Sequence, residues 1–347
     1  MNFEIIKALE DYITNTDSYK SFLKRIVSSQ CFDKLDGVPL ASFIALVARK
    51  WGKRVIVVVP TEDGLNTLEQ DLALIQGNNT LFLRGNGKVF YQGFSGSKVE
   101  YENIDTLTQF VNSKSCILVT SIRSFSAPVI SKNILSAKEL KLALHDKFAP
   151  MDIANLLTQS GYFRTNSCYE EGNFVIRGEV MEIYPFSSTN PIRIYSEWDE
   201  ITKIVYFDSV TQQKQKEVGH CTFNLLPCDN LTPESSFKEY LKDDDYFFFI
   251  GKERLDVVYK SLINEAKASY KDAYNENKNA ITPDKYLLPT LNFINEKVSK
   301  CVINDIATEE CKHFEIGTSH SYFGNVTYFK DDAVALIKSG WKLTVLA

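Results

Sequence analysis

The sequence predicts an α/β protein whose parallel sheet is interrupted by a small α+β unit of antiparallel strands. Three observations carry this. Short, continuous apolar runs alternate with amphipathic helical stretches over the first 120 residues. Short strands at hairpin spacing crowd residues 173–207. The helix–strand alternation then resumes after about residue 223.

The first helix with a clear pattern runs from Asp36 to Lys50. Val55 to Val59 follows as a β-branched run, the composition of a strand buried on both faces, and Pro60 ends it. A second amphipathic helix spans Glu62 to about Gln76, Gly77-Asn78-Asn79 breaks it, and Leu81-Phe82-Leu83 is a short strand. After a loop rich in glycine and aromatics, Arg84 to Gly96, come a helix over Glu100–Asn112 and a buried strand over Cys116–Thr120.

The pattern changes after residue 121. A helix over Met151–Ser160 has Asp152 in its first turn and Gly161 just past its end. Strands are expected over Asn173–Tyr184, Pro191–Ser196 and Glu200–Phe207, with Trp198-Asp199-Glu200 at the second turn. Gly178 inside the first of these marks a bulge or a close backbone approach. Tyr246–Ile250 reads as a buried strand, Leu255–Lys278 as a long polar helix, Leu287–Phe293 as an apolar segment and Asp331–Ser339 as a short helix. The domains expected are thus 1–120 and 213–347 as two halves of one α/β domain, with 121–212 inserted. The final WKLTVLA is apolar and strand-like, which leads us to expect a longer parent protein.

Composition is that of an ordinary globular chain. Of 347 residues, 44% are hydrophobic and 24% charged, with a net charge of −5. None of the three stretches has a basic excess, so any nucleic-acid contact would be a local patch. No apolar run approaches the roughly 18 residues of a membrane span. The seven cysteines have no framework spacing, which reads as reduced thiols in a cytoplasm.

Motifs for catalysis are weak. A P-loop needs G-x-x-x-x-G-K-[ST]. The nearest place, Leu35 to Ser42, offers Gly37 and Ser42 but no lysine, and Pro39 removes a backbone donor. Gly85-Asn86-Gly87-Lys88 is half a P-loop, followed by Val89 where a hydroxyl is required. His220-Cys221 with Cys228, and Cys311-x-His313 with His320, lack the spacing of a zinc site. No G-x-S-x-G elbow is present, and the carboxylates at 170–171, 243–245 and 309–310 read as solvated faces. No cofactor, metal or catalytic residue is expected. What remains is a recognition surface. Arg164, Arg177 and Arg193 cluster in the small unit, with Glu179 two residues from Arg177 on the presumed same face. The alternative is that each arginine pairs with a local carboxylate such as Glu179, Glu182 or Glu197.

The strand-rich stretch carries a specific resemblance. Gly161-Tyr162-Phe163-Arg164 is followed by Glu171-Gly172-Asn173-Phe174-Val175-Ile176-Arg177-Gly178-Glu179-Val180-Met181-Glu182-Ile183-Tyr184-Pro185. Pro191-Ile192-Arg193-Ile194-Tyr195 and Asp199-Glu200-Ile201 through Phe207-Asp208 complete the series. This order is similar to the domain shared by the excision-repair protein UvrB and the transcription-repair coupling factor Mfd. The missing P-loop favours Mfd, as do Asn224-Leu225-Leu226-Pro227 and Phe94-Ser95 before an acidic helix.

The resemblance implies a degenerate P-loop-NTPase-like domain split by an insert that binds the repair protein UvrA. It implies a module that recruits UvrA to stalled RNA polymerase without hydrolysing ATP. Contacts to RNA polymerase and double-stranded DNA, and an ATP-dependent translocase motor, belong in the family to other parts. The alternative is a UvrB-like module that binds DNA or ATP. Arg164 and Arg177 match two UvrB arginines implicated in UvrA binding, and Val175 occupies the place of a third. Phe186 and Arg193 join the candidate surface by proximity alone.

Overall fold

The structure is a computed structural model. It describes residues 2–347 except 34, 76, 78, 86, 88–89, 94–96, 138, 187, 227–234, 297–298, 307–308, 310, 315–321, 323, 341–342 and 344–347, and the side chains of residues 2, 3 and 137. Helices α1 (Asn2–Asn15) and α2 (Asp17–Lys24) lead into β1 (Gln30–Asp33). Then come α3 (Gly37–Trp51), β2 (Arg54–Val59), α4 (Glu62–Ala73), β3 (Thr80–Leu83), α5 (Lys98–Asn112) and β4 (Cys116–Ser121). Short helices α6 (Ile122–Ser126) and α7 (Lys132–Ala137) precede β5 (Glu139–Ala143), α8 (Pro150–Gln159) and β6 (Phe163–Arg164). Strands β7 (Asn173–Arg177), β8 (Val180–Ile183), β9 (Ile192–Glu197), β10 (Glu200–Phe207), β11 (Lys214–Val218) and β12 (His220–Asn224) follow. The chain continues through β13 (Tyr246–Ile250), α9 (Lys252–Glu276), α10 (Pro283–Tyr286), α11 (Thr290–Glu296), β14 (Lys300–Asn304) and β15 (Lys312–His313). These elements lie in one unit, residues 1–314. Residues 315–347 form a second, which holds α12 (Val326–Lys338), capped by the Asn325 side chain accepting from the Tyr328 amide.

Seven strands form one sheet in the order β15-β1-β14-β13-β2-β4-β3, every pair parallel. Strands from both ends of the unit therefore share a sheet, β13 lying directly between β14 and β2. The apolar run of β2 is buried throughout, as its composition requires. On one face Ile56, Val58, Leu118, Phe247 and Phe249 join Leu262 and Ala266 of α9. On the other, Phe43 of α3 meets Phe22, Phe32 and Phe248 edge-on at centroid distances of 5.0–5.9 Å, an arrangement set by the ring quadrupoles.

The start of β2 is tied down by a charge. Arg54 is 2% exposed and forks onto Asp245 at 2.8 and 2.6 Å. Its guanidinium also donates to the Tyr240 carbonyl at 2.9 Å and lies over the Phe110 ring at 4.1 Å. A buried charge tolerates such a place only when paired and hydrogen-bonded.

The second sheet has six strands in the order β11-β10-β9-β8-β7-β6, antiparallel except for the β6–β7 pair. β5 and β12 pair with each other as a separate ribbon. Phe174, Met181, Ile183, Ile192, Ile194 and Ile204 alternate onto one face, over which Ala154 and Leu157 of α8 pack.

The structure changes several sequence expectations. Asn173–Tyr184 is not one strand but a hairpin, with Arg177 opposite Val180 and a two-residue turn at Gly178-Glu179. Gly178 has φ +61°, the left-handed conformation that such a turn needs at its first central position. The polar break Arg177-Gly178-Glu179 is only three residues long between two apolar runs, which hides the turn. At the next turn Trp198 and Asp199 both have positive φ (52° and 62°), unusual without glycine. Helices α1 and α2 and strand β1 precede the first element expected, and α12 begins five residues before Asp331. The expectation of reduced thiols throughout is corrected as well. Cys31 and Cys311 are bonded, because the parallel pairing of β15 with β1 brings residues 280 positions apart to a Cα–Cα distance of 4.7 Å. Cys116, Cys168, Cys221 and Cys301 are buried free thiols.

Candidate partner-binding site

Edge strand β6 pairs with β7 through Phe163–Asn173 and Arg164–Phe174. Arg164 is exposed, and among the described residues it has neither an ion pair nor a hydrogen bond. Arg177, at the far end of β7, is exposed and donates from its guanidinium to the Asn166 carbonyl. That bond reaches from the strand to the loop just past β6, so both arginines lie along the β6–β7 edge strip, Arg164 on the face of Phe174 and Arg177 on that of Val175. Neither has a carboxylate partner among the described residues. Glu179 is exposed in the turn beyond Arg177, so the two do not alternate along one strand face. Its carbonyl accepts from the Ser196 amide at 2.9 Å, joining this turn to β9.

The other two candidates are placed differently. Arg193 donates to Glu182 at 2.7 Å and to Gln212 at 2.8 Å, and lies over the Phe207 ring at 4.2 Å. Glu182 is buried, so this pair is a structural feature of the sheet's second face, beside Val175, Tyr184 and Cys168. Burial pushes the Cys168 thiol up to about 12, so it is a neutral packing group. Phe186 stacks on Tyr101 of α5 at 4.2 Å and packs on Tyr162 at 4.6 Å. Gly172, at φ +82°, makes room for it, since a Cβ there would run into the Phe186 ring. Lys98 of α5 adds an ion pair to Glu171 at 2.5 Å. Phe186 therefore sits on the line where α5 meets the small sheet, held by ring contacts rather than presented to a partner.

Sequence reasoning missed two aromatic groups on this unit. Phe163, beside Arg164, is 69% exposed, and Trp198 is 96% exposed at its hairpin tip. The expected turn at Trp198 was the available signal there, whereas both residues of β6 are exposed and no alternation marks Phe163.

The other sequence-stretch candidates are also placed. At the start of α3, Gly37 has φ +57° and Pro39 lies in the first helical turn. Ser42 is fully buried in α3, and its hydroxyl has no hydrogen-bond partner among the described residues. His220 is exposed on β12, and His313 pairs with buried Asp33 at 2.9 Å. Among the described residues no three His, Cys, Asp or Glu side chains gather as a metal site, and no helix is long and apolar enough to cross a membrane. Asn86, Lys88, Val89, Phe94, Ser95, Pro227, Cys228, Glu310 and His320, and WKLTVLA apart from Leu343, lie outside the described residues.

Comparison with known proteins follows this geometry. Residues 140–228 match the UvrB interaction domain, a stretch that holds the whole six-stranded sheet. The transcription-repair-coupling factor of Borreliella burgdorferi is 24% identical over 99% of this chain and 34% of its own length. That of Bacillus subtilis is 21% identical over 68% of the chain and 20% of its own length. The UvrABC system protein B of Thermus thermophilus is 30% identical over 31% of the chain and 17% of its own length. The chain thus spans about a third or less of these curated relatives. The chain is thus similar to transcription-repair-coupling factors along nearly its whole length, and its six-stranded unit is similar to the UvrB interaction domain.

Proposed function

We propose that this chain is a non-catalytic adaptor that recruits UvrA to stalled transcription complexes through the β6–β7 edge of its six-stranded sheet. One observation carries the reading: the stretch matching the UvrB interaction domain presents Arg164 and Arg177 to solvent with no carboxylate among the described residues to neutralise them. Guanidinium groups in that state are ready for charge-assisted contacts with a partner's carboxylates. Phe163 supplies apolar area beside them. Glu179 flanks the strip, while Arg193 and Phe186 act by holding the sheet and its junction with α5. We take the functional insert as residues 139–224, because β5 and β12, which bracket the small sheet, pair with each other.

ATP turnover is not part of this reading. No lysine stands between Leu35 and Ser42, where the phosphate-binding lysine would have to be, and Pro39 removes an amide from the first turn. The test is capture of purified UvrA by the full chain. Arg164→Ala with Arg177→Ala should abolish capture while thermal stability changes by less than about 1 kcal/mol. Undiminished capture by that double variant refutes the assigned surface.

A further inference from the structure

The Cys31–Cys311 disulfide lies at the edge of the seven-stranded sheet, with Cys31 on β1 and Cys311 immediately before β15. Both residues are half-buried, whereas the other described cysteines are buried. β15 is only two residues long and pairs with β1 through Phe32–Lys312 and Asp33–His313. Beyond the disulfide it is held by the His313–Asp33 pair and by Phe314, whose ring meets Phe32 and Phe43 at 5.4 and 5.1 Å. Such a short edge strand has little ladder of its own, and a covalent link across 280 residues strongly restricts its opened state.

We infer that Cys31–Cys311 is a reversible thiol–disulfide site that clasps β15 onto β1 and is opened by a dithiol reductant. A thiolate of the reductant attacks one sulfur, forming a mixed disulfide and expelling the other cysteine as a thiolate. The reductant's second thiol displaces the remaining cysteine. The reductant loses two electrons and two protons and leaves as a disulfide, and both cysteines end as thiols. An internal thiol does not do this work. Cys301, on the adjacent strand β14, is buried, and burial pushes its thiol well above the ordinary range. Opening leaves the outer backbone groups of β1 as a free sheet edge.

The test uses the full chain purified without reductant and dithiothreitol as the probe. Before reduction, alkylation in denaturant should spare Cys31 and Cys311, and mass spectrometry should find their peptides joined. After native treatment with dithiothreitol both should be alkylated, and amide exchange at residues 311–314 should quicken by about tenfold or more. Cys31→Ser should show the same fast exchange without reductant. If that variant fails to fold, the wild-type pair of measurements still decides. Full alkylation of both cysteines in the unreduced chain overturns the site, and unchanged exchange after reduction overturns the clasp.

Discussion

In the seven-stranded sheet Arg54 is locked inward on Asp245, whereas at the edge of the six-stranded sheet Arg164 and Arg177 face solvent without a carboxylate among the described residues. The parallel sheet carries helices on both sides, so its polar groups must be satisfied internally. The antiparallel sheet packs one face on α8 and keeps a short, open edge strand. Arg193 lies between these extremes, exposed in part yet committed to a buried glutamate. The same residue type therefore stabilises the fold in one region and is free for a partner in the other, and what separates the two is the presence of a carboxylate.

That comparison can be broken in order of expected effect. Arg54→Ala strands Asp245 in the core and should lower stability by about 3–5 kcal/mol, seen in chemical denaturation. A loss below about 1 kcal/mol would mean that the pair is not a keystone of the sheet. Arg193→Ala leaves Glu182 buried without its partner and should cost about 2 kcal/mol, with UvrA capture by the folded protein retained. If capture vanishes while stability holds, Arg193 belongs to the contact surface.

A smaller effect concerns the α5 junction. Burial raises the Asp105 carboxyl above its ordinary range, partly offset by a hydrogen bond from Gln109 at 2.6 Å. The folded state thus holds this proton more tightly than the unfolded chain does. The ionised group opposes folding as pH rises through the raised value, and the opposition is absent below the unfolded value near 4. Asp105→Asn should raise the melting temperature at pH 7 by about 1–3 °C, and the gain should disappear near pH 4. A gain that is equal at both pH values would assign the effect to something other than the charge.

The sequence revealed the parts of the fold that rest on local chemistry. The β-branched run of Val55–Val59, the aromatic run of Tyr246–Ile250 and the exposed turn at Trp198 all stand where periodicity and turn chemistry put them. Features that depend on distant partners were not legible. The Gly178-Glu179 turn breaks two apolar runs by only three polar residues, and Cys31 meets Cys311 only because β15 returns to pair with β1. The arginines were visible, but their states were not. Arg177 and Arg193 look alike in the sequence, and only the register that sets Glu182 opposite Arg193 separates them. Phe186 is likewise assigned to the α5 junction by its stacking on Tyr101, 85 positions earlier.

The central claim is that the partner meets the β6–β7 edge and not the parallel sheet. Hydrogen exchange of the full chain with and without UvrA tests it most directly. Added UvrA should slow exchange across residues 163–179 and leave β2, β4 and β13 unchanged. Slowing confined to the parallel-sheet strands, with residues 163–179 unaffected, would contradict the account.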